Sequence, residues 1–293
     1  MTENLIDPRT KYQQSGFPQG DGEQPGLTDE TVPRPDHGED TYRGCEKLAG
    51  RRALVTGGDS GIGRAVAIAY AREGADVAIN YLPEERADAE STAHLIEAAG
   101  RRAVLLPADL TDEDAATGVV RDAREELGGL DLLVLNAGYQ KQRETDADFS
   151  TEEFDRVMRT NLYAAFWMSR EALPHMAAGS SIIVTTSIQA FSPSPGLLDY
   201  AMTKAALVAF VQAMAEQQGE SGIRVNGVAP GPIWTPLIPA TGWPKKLPHF
   251  GQDTPLGRAG QPAELAGAYV YLASDDASYV SGAILPVTGG RHL

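Results

Sequence analysis

The chain is predicted to be an α/β protein with one doubly wound parallel sheet and helices on both faces. Three observations predict this. From residue 48 onward, short apolar runs alternate with longer helical stretches. A glycine-rich turn joins the first apolar run to the first helix. No repeat is present beyond that alternation, so one continuous sheet is expected. Strand-like runs fall near 52–56, 75–80, 102–107, 131–135, 180–186, 223–228 and 283–287, with helical stretches near 61–73, 84–99, 112–127, 151–177, 198–218 and 262–273. Short apolar strands separated by helices belong to parallel sheets buried on both faces, and right-handed crossovers wind them in both directions.

Residues 1–44 stand apart. They are rich in Pro, Gly and acidic side chains, include Pro33-Arg34-Pro35, and carry neither a helical nor a strand period. Alone they bury too little apolar surface to fold. Tyr12, Phe17 and Tyr42 provide anchors. The segment is therefore expected to be an extended arm lying on the domain or on a neighbouring subunit, with a disordered tail as the alternative. Residues 45–293 are expected to form a single domain.

The first strand, Arg52-Ala53-Leu54-Val55, leads into Thr56-Gly57-Gly58-Asp59-Ser60-Gly61-Ile62-Gly63, and a helix follows from Arg64. Strand, glycine turn and helix form a context for dinucleotide binding. Glycines permit the tight turn and let backbone approach a pyrophosphate. The helix start offers it free N–H groups and a positive dipole end. The third apolar run, Val104-Leu105-Leu106, precedes Asp109 and Leu110, and the fourth, Leu132 to Leu135, precedes Asn136-Ala137-Gly138. Asn161 lies inside a predicted helix, and Ser187 follows the strand Ile182-Ile183-Val184-Thr185.

Tyr200 and Lys204 lie four residues apart in a predicted helix, one above the other on one face. An ammonium beside a phenol favours the phenolate, by about 4 kcal/mol at ~4 Å and an effective dielectric near 20. That would bring a phenol from about 10 toward roughly 7, fit to exchange a proton with an alcohol or carbonyl.

In this order and context, the motifs resemble the short-chain dehydrogenase/reductase family of the classical type, over about residues 48–290. The resemblance implies a Rossmann fold of seven strands in the order 3-2-1-4-5-6-7. It implies that Tyr200 is the general acid/base. Lys204 lowers its pKa and binds the nicotinamide ribose, Ser187 donates to the substrate oxygen, and Asn161 holds a water linking Lys204 to solvent. It assigns cofactor contacts to Gly57, Asp59, Ser60, Gly61, Ile62, Gly63, Arg64, Tyr81, Asp109, Leu110, Asn136, Ala137, Gly138, Pro230, Gly231, Ile233 and Thr235. The arm resembles the N-terminal extension of a bacterial subgroup that includes general-stress and glucose/ribitol-dehydrogenase-like members.

The implied reaction is hydride transfer between a nicotinamide cofactor and a small aldehyde, ketone, sugar or polyol. In the family, an acid at the end of the second strand selects NAD. Here the stretch Asn80-Tyr81-Leu82 has none, and Arg64 offers a positive charge for a 2′-phosphate. The balance leans to NADP(H), with NAD(H) the alternative. Thr288 stands where the family's terminal strand usually has Asp. Residues 236–258, with Pro236, Pro239, Pro244 and Pro248, read as an irregular lid carrying Leu237, Ile238, Trp243, Leu247 and Phe250. Ala164, Ala165, Ala205, Ala206, Ala209 and Ala213 suit close helix packing, and the family commonly pairs these helices in a homotetramer.

Composition narrows the classes. The formal charge of −15 argues against nonspecific nucleic-acid or anionic-membrane binding. No apolar run is expected to span a membrane, and no signal-peptide core is read at the N-terminus. Five scattered histidines lack metal-ligand spacing. The single cysteine, Cys45, fits a reducing cytoplasm. A catalytically silent cofactor-binding regulator of the same fold is the alternative function, though it need not keep all four catalytic-type residues. An epimerase or dehydratase usually carries a longer C-terminal substrate domain than the stretch after Pro230 allows.

Overall fold

Alternating side chains in seven apolar strands organise the molecule. The computed structural model describes residues 5–19, 22–145 and 148–293. Strands β1 (Arg52–Thr56), β2 (Asp76–Tyr81), β3 (Ala103–Pro107), β4 (Leu132–Leu135), β5 (Ser181–Thr185), β6 (Arg224–Pro230) and β7 (Ile284–Val287) form one parallel sheet in the order β3-β2-β1-β4-β5-β6-β7. Successive residues of a strand point to opposite faces. Ala53, Val55, Val77, Ile79, Leu132 and Val134 feed one core with helices α1 (Gly61–Arg72), α2 (Arg86–Ala98) and α7 (Ala263–Ala273). Leu54, Ala78, Leu133, Leu135, Ile182 and Val184 feed the other, with α3 (Glu113–Leu127), α5 (Ala164–Ala172) and α6 (Leu198–Gln218).

The helix expected over 151–177 is built in pieces. Helix α4 (Thr151–Met158) passes through one wide π turn, Arg159–Tyr163, into α5. Such turns recur at functional sites, and this one contains Asn161. The lid is irregular, as its prolines demand, with 3-10 turns at Pro239–Thr241 and Leu247–His249.

One sequence expectation needs correction. The segment Pro195–Ser221, which includes α6, is long and apolar enough to cross a membrane by length and composition, its most apolar 18 residues reaching a mean hydropathy of 1.2. Its inner side packs on the sheet through Leu207 and Val211 and carries buried Asp199 and Lys204. Its outer side exposes Leu198, Met202 and the alanines at 205, 209 and 213. Leu207 and Val211 on the inner side and the uncharged alanines on the outer side together make the helix apolar.

A third apolar cluster joins the arm to the lid. Phe17 is 4% exposed and stacks on Trp234 with ring centroids 3.7 Å apart, with Ile238 and Leu247 beside them. Further along, the Thr28 amide donates to the Asp88 carboxylate on α2 at 2.8 Å, Trp234 Nε1 donates to Pro33 O, and Tyr42 Oη donates to Glu73 at 2.6 Å.

Candidate active site

Strand order reverses between β1 and β4, and in doubly wound sheets ligands bind beyond the carboxyl ends of the strands at such a point. Side chains lock the two strand ends together here. Thr56 Oγ1 accepts from the amides of Asn136 and Ala137 at 2.8 and 2.9 Å, while Asn136 Nδ2 donates to Thr56 O and Gly57 O at 3.1 and 3.3 Å. Thr185 Oγ1, from β5, donates to Asn136 Oδ1 at 3.0 Å. A cleft of about 840 Å³ opens above this junction.

One end of the cleft is suited to an anion. Gly57 sits at φ +58° and Gly61 at φ +48°, conformations that favour glycine. Gly63 has no room for a side chain, since a Cβ there would lie 1.8 Å from Gly57 O. Helix α1 has Ser60 at its N-cap with no side-chain cap bond and no acid in its first turn. By contrast, Asp112 and Ser150 cap α3 and α4 with side-chain oxygens. The first N–H groups of α1 thus keep their hydrogen-bonding capacity for a ligand, with the dipole favouring negative charge. A dinucleotide pyrophosphate fits that chemistry.

The catalytic candidates gather elsewhere in the same cleft. Ser187, Tyr200 and Lys204 all line it, and Asn161 lies behind the wall. Lys204 Nζ is 5.4 Å from the Tyr200 ring centroid and donates to Thr185 O at 2.7 Å. Asn161 accepts from the Tyr139 amide at 2.7 Å and donates to Tyr139 O at 2.9 Å and to Thr203 Oγ1 at 3.2 Å. Both polar atoms of its carboxamide are therefore engaged in holding the loop after Gly138. A Cβ placed on Gly138 would lie 3.8 Å from both Asn161 Oδ1 and Lys204 Nζ, so the three meet at one spot.

The electrostatics differ from the sequence expectation. Burial pushes the Tyr200 phenol up to about 12, and the nearby Ser187 hydroxyl offsets only part of this. Burial brings Lys204 down to about 7. The ammonium was expected to pull the phenol toward neutrality. Instead, desolvation opposes charge on both groups, and Lys204 directs its hydrogen bond to Thr185. The protein alone therefore keeps Tyr200 protonated.

Of the proposed cofactor contacts, Gly57, Asp59, Ser60, Gly61, Ile62, Tyr81, Asp109, Leu110, Asn136, Ala137, Gly138, Pro230, Gly231, Ile233 and Thr235 line the cleft. Gly63 and Arg64 are not among its lining residues. Arg64 is 1% exposed, its guanidinium turned to Ser91 at 3.1 Å, Thr92 at 3.3 Å and the arm's Glu39 at 3.6 Å. The placement of Arg64 as the charge facing a 2′-phosphate is corrected accordingly. At this position on α1 the side chain runs toward α2 and the arm rather than into the cleft.

Other lining residues were not anticipated. Glu85, after β2, brings a carboxylate near the expected Asp59; Gln140 and Arg156 line the far side, and Gln24, Pro25 and Gly26 come from the arm. Only the lid signal found part of the roof, namely Leu237, Ile238, Trp243 and Phe250, while Leu247 packs into the arm–lid cluster instead.

Comparison with known proteins agrees with this architecture. A family model described as Enoyl-(Acyl carrier protein) reductase matches residues 57–292. An uncharacterized oxidoreductase, YghA, of Escherichia coli is 53% identical over 291 residues, covering 99% of each chain. The glucose and ribitol dehydrogenase of Daucus carota is 46% identical over 278 residues, covering 93% of this chain and 96% of its own. A short chain dehydrogenase from Burkholderia cenocepacia, solved in complex with NADP, superposes with a TM-score of 0.79 at 35% identity, covering 83% of this chain and 98% of the other. With the reversal of strand order, the glycine turn and the Ser–Tyr–Lys grouping in one cleft, these matches show that the chain belongs to the short-chain dehydrogenase/reductase family of oxidoreductases.

Proposed function

We propose that this protein uses NADP(H), with NAD(H) the alternative, to interconvert a small carbonyl compound and its alcohol. The observation that carries the reading is the meeting of Ser187, Tyr200 and Lys204 in a cleft whose glycine turn leaves a helix start open to an anion. The Gly57–Gly63 turn would hold the pyrophosphate, Tyr81, Asp109 and Leu110 the adenosine, and Pro230, Gly231, Ile233 and Thr235 the nicotinamide end. When bound, the nicotinamide supplies or accepts the hydride.

The chain's own residues handle the oxygen. Tyr200, protonated up to about 12, donates a proton to the carbonyl oxygen during reduction and takes it back during oxidation. Ser187 donates a hydrogen bond to the same oxygen as charge develops. Lys204 would hold the nicotinamide ribose and, when charged, would draw the phenol toward its reactive form. Asn161 fixes the loop at Tyr139 against α6, and the family resemblance implies a water beside it that would connect Lys204 to solvent.

The carrot relative's name supports sugars and polyols beside aldehydes and ketones. The NADP bound to the Burkholderia relative supports NADP(H), as does Asn80, whose carboxamide stands in the cleft wall near the end of β2 and donates to Leu106 O and Ala108 O. Exposed Tyr163, Phe166, Leu198 and Met202 beside the outward alanines support a homotetramer, which light scattering would test.

The test is oxidation of NADPH and of NADH against a panel of aldehydes, ketones and sugars, and the reverse reaction on alcohols. Turnover with a higher kcat/KM for NADPH is expected. A large preference for NADH would overturn the cofactor choice. Binding without turnover on every compound would overturn the enzyme reading.

A further inference from the structure

We infer that arm residues Gln24–Gly26 are part of the dinucleotide site. They form an outer wall of the cleft, and the Gln24 carboxamide latches that wall over the bound cofactor. The inference rests on the dinucleotide reading above.

Three observations carry it. First, Gln24, Pro25 and Gly26 line the same cleft as the glycine turn and Tyr200. Second, Gln24 bridges the two sides of the roof. Its Nε2 donates to Gln140 O, beyond β4, at 2.7 Å and to Ala240 O, in the lid, at 3.1 Å. Third, the flanking glycines let the arm backbone lie directly on the lid. A Cβ at Gly26 would meet Pro236 O at 2.4 Å, and the Gly22 amide donates to Pro239 O at 3.2 Å.

Anchors on both sides keep this stretch in place. Before it, Phe17 stacks on Trp234 and its amide donates to Leu247 O at 2.9 Å. After it, Thr28 binds Asp88 on α2. The segment therefore crosses from the lid to α2. Pro236, under Gly26, is itself 3.9 Å from where a Cβ of Gly61 would stand, which puts the crossing beside the pyrophosphate turn. A dinucleotide lying along the cleft would be enclosed by the arm on its outer side. The latch is the weak point: it consists of two neutral hydrogen bonds, easily broken compared with the aromatic and buried anchors.

The test measures NADPH association and dissociation by stopped-flow fluorescence on the full chain. Gln24→Ala removes the latch, Gly26→Ala lifts the wall, and Tyr42→Phe removes an arm contact outside the cleft. Gln24→Ala should accelerate dissociation roughly tenfold, the worth of about one to two net hydrogen bonds. Gly26→Ala should act in the same direction, and Tyr42→Phe should leave dissociation within twofold. An unchanged rate in Gln24→Ala would overturn the inference even if Gly26→Ala fails to fold. Equal acceleration by Tyr42→Phe would overturn it too, because general loosening of the arm would then suffice. If the wild-type chain binds neither NADPH nor NADH, the dinucleotide reading fails and this inference falls with it.

Discussion

Gly63→Ala probes how tightly the glycine turn is built. A Cβ at this position falls 1.8 Å from Gly57 O and 2.7 Å from Asn136 Nδ2. The first neighbour is backbone, and the second is tied to Thr56 O and Gly57 O. Relief requires the turn to move by more than an ångström, which breaks both Asn136 bonds. Overpacking costs about 1–3 kcal/mol and the two hydrogen bonds about 1 kcal/mol each, so the sum is about 3–5 kcal/mol. That is a large share of the roughly 5–15 kcal/mol that holds a folded protein together. Gly118→Ala, in the middle of α3, is the control. Its nearest outside atom is Arg121 Nη2 at 3.8 Å, so alanine fits and should stabilise by about 1 kcal/mol. Urea unfolding and fluorescence titration with NADPH should show Gly63→Ala with a lower midpoint and roughly 100-fold weaker binding, at ~1.4 kcal/mol per factor of ten. Gly118→Ala should show neither change. A Gly63→Ala protein with wild-type midpoint and affinity would refute the reasoning.

Two further predictions concern the arm and the adenosine end. Phe17→Ala empties the stack on Trp234, a loss of about 3–5 kcal/mol for a buried aromatic. Limited proteolysis should then cut within residues 1–44 while sparing the sheet, and an unchanged digest would contradict the anchoring role. Burial and neighbouring carboxylates push Asp59 up to about 7 and Glu85 up to about 8. Both groups are largely neutral below this range and ionised above it. The KM ratio of NADPH to NADH should therefore rise roughly tenfold from about pH 6 to about pH 9, as negative charge appears in the part of the cleft where Tyr81 would hold the adenosine. A flat ratio would separate these carboxylates from cofactor choice.

The sheet was legible because its signals are local. Seven runs of apolar, mostly buried residues stand out without tertiary information, and the observed strands begin and end within a few residues of them. Ser187, Tyr200 and Lys204 were legible for a related reason. Strand end and helix spacing bring them to the same cleft wall. What depended on distant contacts was not legible. Glycines and prolines in residues 1–44 suggest disorder as readily as order. In the fold, Gly16, Gly22 and Gly26 are places where arm backbone presses against lid backbone, which a local pattern cannot reveal. Arg64 looked available to a phosphate because its neighbours in sequence are the turn, yet its helical direction takes it to Glu39 and α2. Separation alone sets the sequence expectation for the Tyr200–Lys204 pair. Burial, which the sequence does not quantify, reverses the expected shift. The membrane-like hydropathy of α6 is hard to see in the sequence because Asp199, Lys204 and polar residues interrupt its apolar positions.

The most direct test of the central claim is single-turnover hydride transfer in Tyr200→Phe, with cofactor affinity measured on the same preparation. Phenylalanine keeps the ring and removes only the proton-carrying oxygen. Loss of a general acid/base lowers the rate by about 10²–10⁴. The account predicts a fall in that range with the NADPH dissociation constant within threefold of wild type. A variant that reduces the same carbonyl substrate within tenfold of the wild-type rate would contradict Tyr200 as the proton donor, and the proposed mechanism with it.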